Sequence, residues 1–207
     1  MANYRTSRVL PIVLVVVVII IAITALVSLA RVVFFSGSSN SSNTTVDVSR
    51  DALLNTSAGR SVSMTVRGPI VADEKFHSYK IDISANDRTI KTYAGYLDTV
   101  IDQTTLGNSV ASYDQFVHAL DKANLTKGKQ LTGDKNDTRG ICATGSVYDF
   151  AIMNNGDTVK DLWTSTCNGS SGSLNASVTQ LSSLFTNQIP GASAQIQKLG
   201  LSSGSLY

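Results

Sequence analysis

Hydrophobic and polar positions divide this chain into three stretches. Residues 9–30, VLPIVLVVVVIIIAITALVSLA, carry no charged side chain. Wound as a helix they reach about 33 Å, enough to cross a hydrocarbon core of about 30 Å. Residues 36–45, SGSSNSSNTT, have no apolar periodicity and read as a flexible, solvated linker. Beyond them the pattern breaks into short periodic segments, as a folded domain requires. The organisation predicted is a cytoplasmic N-terminus over 1–8, a transmembrane anchor over 9–35, the linker over 36–45 and an extracytoplasmic domain over 46–207.

Within that domain, residues 46–58 predict a short amphipathic helix beginning near Ser49. Leu53 and Leu54 face inward, and Gly59 stands at its C-terminal cap. Val62, Met64 and Val66 alternate with Ser63, Thr65 and Arg67, giving a strand with one wet face that breaks at Gly68-Pro69. Tyr79, Ile81 and Ile83 make a second strand, and Asn86-Asp87 is turn chemistry. Taken as a two-residue loop, it sets Ile83 opposite Ile90 on a third strand over 88–96. Residues 97–107 read equally as strand or as helical turn. Asn108 or Ser109 caps a helix through about Ala123, with Val110, Tyr113, Phe116, Val117 and Leu120 on one face.

Asn155-Gly156 between two apolar runs, 147–153 and 158–166, is the strongest hairpin signal in the chain. With those two as loop residues, Tyr148 pairs with Trp163, Phe150 with Asp161 and Ile152 with Val159. Trp163 and Asp161 then face the core, Asp161 as the odd member. Ser173 is expected to cap a helix whose stripe is Leu174, Val178, Leu181, Leu184, Phe185 and Ile189. Pro190-Gly191 stops it, and 193–199 predict one further short helix. Runs of strands and helices without regular alternation give an α+β class: a small antiparallel sheet backed by helices on one face.

Flanking charge sets the orientation of the anchor. Arg5, Arg8 and the amino terminus precede it, whereas only Arg31 follows closely, so the N-terminus is expected inside and the domain outside. Ser28-Leu29-Ala30 imitates a signal-peptide cleavage site, but the run exceeds the roughly 7–15 residues of a signal h-region, which favours a retained anchor. Localisation in the cell membrane as a single-pass protein follows, with the lipid bilayer as partner through residues 9–35. A formal net charge of +2 with interspersed signs leaves no basic stripe, and no nucleic-acid partner is expected.

Cys142 and Cys167, the two cysteines of the chain, both fall in the exported part and are expected to form a disulfide that braces the hairpin. The closed loop of about 25 residues is worth roughly 3–4 kcal/mol in the chain-entropy picture. In the expected register Cys142 has the parity of Tyr148, and a bulge near Gly145 brings the thiols together. Motif chemistry is thin: there is no H-E-x-x-H or P-loop, and no spacing singles out a Ser/Lys dyad. His118 lies mid-helix and His77 at a strand entry, so no catalytic residue is assigned. Asp134, Asn136 and Asp137 imitate a calcium loop, but Thr138-Arg139 breaks the pattern and no Glu follows. No metal site and no cofactor are expected. Asp161 is the one carboxylate with a claim to unusual surroundings: it is expected to pair with Arg67, Lys80 or Arg139, or to lie at the sheet's edge. Tyr93 and Tyr96 are the candidate binding surface on the wet side of the sheet.

The stretches SVSMTVRGPIVADEKFHSYKIDIS, TRGICATGSVYDF and VKDLWTSTC resemble uncharacterised single-pass envelope proteins of Saccharibacteria-like candidate-phylum bacteria. The resemblance implies an envelope context and supplies no catalytic residues. The function expected is a membrane-anchored interaction or structural module of the cell envelope, binding another envelope protein or a surface polymer. An envelope hydrolase with a Ser/His/Asp or Ser/Lys site is the alternative.

Overall fold

The computed structural model describes residues 48–201; the anchor, its flanks and the linker lie outside them. Among the described residues no helix is long and apolar enough to cross a membrane. Among the described residues the alternating segments form a six-stranded, wholly antiparallel sheet, accompanied by four α-helices in an α+β arrangement. Strands β1 (Arg60–Arg67), β2 (His77–Ser84), β3 (Asp87–Ala94) and β4 (Thr99–Gly107) form a meander. The chain then crosses through helix α2 (Val110–Lys122) to strands β5 (Val147–Asn154) and β6 (Asp157–Ser165), which add on the other side of β1. The strand order is β4-β3-β2-β1-β5-β6. Helices α1 (Val48–Leu54), α3 (Val178–Thr186) and α4 (Ala192–Lys198) complete the helical layer.

One face of the sheet carries Val62, Met64, Val66, Tyr79, Ile81, Ile83, Tyr148, Phe150 and Ile152, all buried. They pack against Leu53, Phe116, Val117, Leu120, Leu181, Phe185 and Ile196 from the helices. Phe185 sits at the centre, edge-on to Phe116 with ring centroids 5.2 Å apart and 5.9 Å from Phe150. Fully burying side chains of this size contributes about 1.5–3 kcal/mol each, which makes this face the stabilising one. The opposite face is polar and stays open, apart from a small second core of Cys142, Val147 and Trp163 with Leu131 and Ile141 beside it.

Several sequence expectations shift, each for a local reason. Helix α1 ends at Leu54, before Gly59, because the Asn55 side chain accepts from Ser57 N and closes an Asx turn. The β2–β3 loop is Ala85-Asn86, since Ser84 Oγ accepts from both Asn86 N and Asp87 N. Ile81 therefore faces Ile90, a slip of two residues that keeps every side chain on its expected face. Residues 99–107 resolve as strand β4. Ser109 caps α2 by accepting from Ser112 N, although Val110 of the expected stripe is exposed.

The last long helix starts at Val178 under a Ser177 cap, later than the Ser173 expected. Ser173 is engaged elsewhere: its hydroxyl accepts from Trp163 N, while Ser173 N and Leu174 N both donate to Trp163 O. That segment closes the outer edge of β6. Gly172, at φ +73°, lies so close to Trp163 that a Cβ would collide with it.

The hairpin register is the consequential correction. Asn155 and Gly156 have φ of 51° and 89°, as a type I′ turn requires. Beyond the first two pairs, however, Val159 bulges, so that Ile152 faces Lys160, Phe150 faces Leu162 and Tyr148 faces Thr164. A one-residue slip moves side chains to the other face. Leu162 enters the core; Trp163 and Asp161 leave it for the open face.

Candidate functional site

On the open face, alternation sets Thr65 and Arg67 of β1 beside Lys80 of β2 and Asp149 of β5. The bulge adds Asp161 and Trp163 from β6, with Trp163 directly opposite Asp149. Two loop systems rise around this strip. One is residues 68–76 with the β3–β4 turn. Its Tyr96 stacks on Phe76 with centroids 4.2 Å apart, donates its hydroxyl to Val71 O at 2.6 Å and accepts from Val71 N at 3.1 Å. Tyr96 N donates to Asp73 Oδ1 at 2.7 Å, so the ring acts as a clamp across the loop.

The other wall is the segment 129–146, anchored by the Cys142–Cys167 disulfide, whose Cα atoms are 5.5 Å apart. The bridge joins as expected, and Cys142 lies in the open-face cluster and not in the main core. Gly145 is packed against Thr166 and both sulfurs, leaving no room for a Cβ. Ile70 N donates to Ala143 O at 2.9 Å, which ties the two walls together at one end.

Between the walls runs a cleft with two unlike ends. The apolar end, about 290 Å³, is lined by Gly68, Ile70, Phe76, Gly140 and Cys142. The polar end, about 400 Å³, reaches Thr65 and Asp149. Arg67, Tyr96, Thr138, Arg139 and Val147 line both ends, so the two are one groove with two arginines at the junction.

At the floor, Asp149 and Asp161 form a carboxyl pair. Burial first, then the charge of Asp161 and the hydrogen bond shared with it, push the Asp149 carboxyl up to about 7, against the opposing pull of Arg67 and Lys80. Asn136 Nδ2 donates to Asp161 Oδ2 at 2.9 Å, and Asp161 N donates to Gln130 Oε1 at 3.1 Å. Asp161 Oδ1 is buried with no protein donor. A proton held on Asp149 supplies that donor, which is the arrangement the shared hydrogen bond describes. The cations expected to pair with Asp161 are committed elsewhere. Arg67 reaches Asp98 at 3.3 Å, Lys80 reaches Asp82 at 2.9 Å, and Arg139 embraces Asp137. The hydrogen bonds from Arg139 hold the Asp137 carboxyl down to about 2.

Of the candidate surface tyrosines, Tyr96 lines the cleft, whereas Tyr93 lies on the same face outside it. The histidines do not converge. His118 is exposed on α2, 3.8 Å from Asp114, and His77 heads β2; among the described residues neither side chain bonds a serine. The calcium-like residues form a 3₁₀ turn at Gly133–Asn136 that presents Asn136 to Asp161. Among the described residues no cluster of metal-ligating side chains occurs. Sequence reasoning missed Asp149, Thr65 and Thr138. The only signal was that Arg67 and Asp149 both stand at polar positions of alternating strands.

Searches against protein-family models, curated proteins and solved structures find no match to this chain.

Proposed function

We propose that the chain is a membrane-anchored, extracytoplasmic binding module of the cell envelope that works through the cleft on the open face of its sheet. The observation carrying this reading is the groove itself: one apolar end, one polar end, and Arg67 with Arg139 where they meet. A concave site with a few convergent polar groups in an otherwise apolar lining is what ligand recognition requires. Its walls are held by a disulfide and by the Tyr96 clamp, so the shape is preformed. The uncharged run at 9–30 and the resemblance to envelope proteins supply the context.

The test is made on intact cells. Protease added outside should remove the domain while leaving the N-terminus, and cross-linking before lysis should retain a partner on the wild type. Thr138→Trp, which fills the groove from an accessible loop, should lose that partner, and Gln115→Trp on α2 should keep it. Protection from external protease, or equal retention by both variants, refutes the reading.

A second reading is favoured by Asp149: a carboxyl that keeps its proton near neutrality at the floor of a cleft can act as a general acid. Glycoside hydrolysis of the usual kind does not fit, because its two carboxyls stand at least about 5 Å apart and do not share a hydrogen bond.

A further inference from the structure

We propose that the cleft is a receptor for the free carboxyl terminus of a peptide ending in an apolar residue, a reading that rests on the binding-module function above. The junction holds Arg67 and Arg139; the guanidinium of Arg139 is paired with Asp137, and that of Arg67 offers the planar donor set that matches a carboxylate. Arg67 donates a single N–H to Asp98 at 3.3 Å among the described contacts, which leaves most of its fork for a ligand. On one side of the junction, Ile70, Phe76 and Val147 line a space of about 290 Å³ that accepts an aliphatic or aromatic side chain. On the other side the larger space, about 400 Å³, is bordered by hydroxyl and carboxyl groups of Thr65, Thr138 and Asp149.

That polar space suits the amide groups preceding the terminal residue. It does not suit the methylenes of a fatty acid, whose long tail needs an apolar tunnel. A peptide terminus is therefore the one occupant that matches charge at the junction, hydrophobicity on one side and hydrogen-bonding capacity on the other.

The floor makes this recognition pH-sensitive. Asp149 faces Asp161 and Trp163 from β6, Arg67 from β1, Lys80 from β2 and Arg139 from the covering loop. With its proton in place, shared with Asp161, it is neutral beside the bound carboxylate; without it, a further negative charge shares the groove. Binding weakens as pH rises through neutrality.

The experiment titrates the purified full chain in mild detergent with acetyl-Gly-Leu, with its C-terminal amide, and with hexanoate, by calorimetry. The free acid is expected to bind, the amide at least about tenfold more weakly, and hexanoate likewise. Affinity for the acid should fall about tenfold between about pH 6 and about pH 8.5, and Asp149→Asn should flatten that profile. Arg67→Gln should weaken the acid about tenfold while leaving the thermal transition in place. Ile70→Ala, which trims a solvent-exposed side chain lining the apolar end, is a second variant independent of charge and should weaken the acid several-fold. Equal binding of acid and amide, tighter binding of hexanoate, or no binding of any probe at millimolar concentration overturns the assignment. If the probes fail while Thr138→Trp still abolishes the partner on cells, the ligand class is wrong and the binding-module function stands; if both fail, both fall.

Discussion

Replacing Asp149 by Asn isolates the energetic consequence of the buried carboxyl pair. The carboxyl is raised from 3.8 to about 7 in the fold. Between about pH 4 and pH 7 the folded chain keeps a proton that the unfolded chain has lost, so folding takes up that proton and stability falls as pH rises through the window. The loss is complete above about 7. Three units at about 1.4 kcal/mol each set a ceiling near 4 kcal/mol. Asp149 retains a side facing the cleft, where solvent screens its charge, and about 2 kcal/mol is the expected effect. In Asp149→Asn the amide donates to Asp161 in place of the carboxyl proton and does not titrate. Variant and wild type should unfold alike near pH 4, and the variant should be the more stable by about 2 kcal/mol near pH 8.5. Urea unfolding of the full chain reads this directly through the fluorescence of Trp163, the single tryptophan, which lies opposite Asp149. A wild-type advantage at high pH, or a difference that does not change with pH, refutes the argument.

Other substitutions test the frame. Changing both Cys142 and Cys167 to Ser should cost about 3 kcal/mol in the same unfolding assay, and loosening of the cleft should appear as faster amide exchange over 138–146. Phe185→Ala removes a fully buried ring between the helices and the sheet and should cost about 3–5 kcal/mol. Gly172→Ala combines a left-handed backbone with a collision against Trp163 and should lower stability by at least about 2 kcal/mol, with the loss of fluorescence anisotropy of Trp163 as a local readout.

The helical layer and most strands were legible because burial on one face imposes a period on the sequence. Tyr113, Phe116, Val117 and Leu120 declare α2, and Val62, Met64 and Val66 declare β1, whatever their neighbours do. The β2–β3 turn slipped by two residues at no consequence, since an even slip preserves facing. Val159 was different. Its bulge is an odd insertion that no local propensity marks, because Val159 is as good a strand residue as its neighbours. That one residue decides whether Asp161 lies in the core or on the open face, so it hid the carboxyl pair. Cys142–Cys167 was visible from composition. The groove was not, because Arg67, Thr138 and Asp149 come from a strand, a loop and a second strand that meet only through register. Tyr96 was singled out by its aromatic character, whereas the grip of its hydroxyl on Val71, which clamps the loop, could not be read from spacing.

Site-specific photo-cross-linking on intact cells tests most directly whether the groove is the working surface. Benzoylphenylalanine would be placed at Thr138 on the cleft wall and, separately, at Gln115 on the exposed side of α2. An adduct from position 138 alone, abolished by Arg67→Gln, is the predicted result. Adducts from position 115 with none from 138 would contradict it.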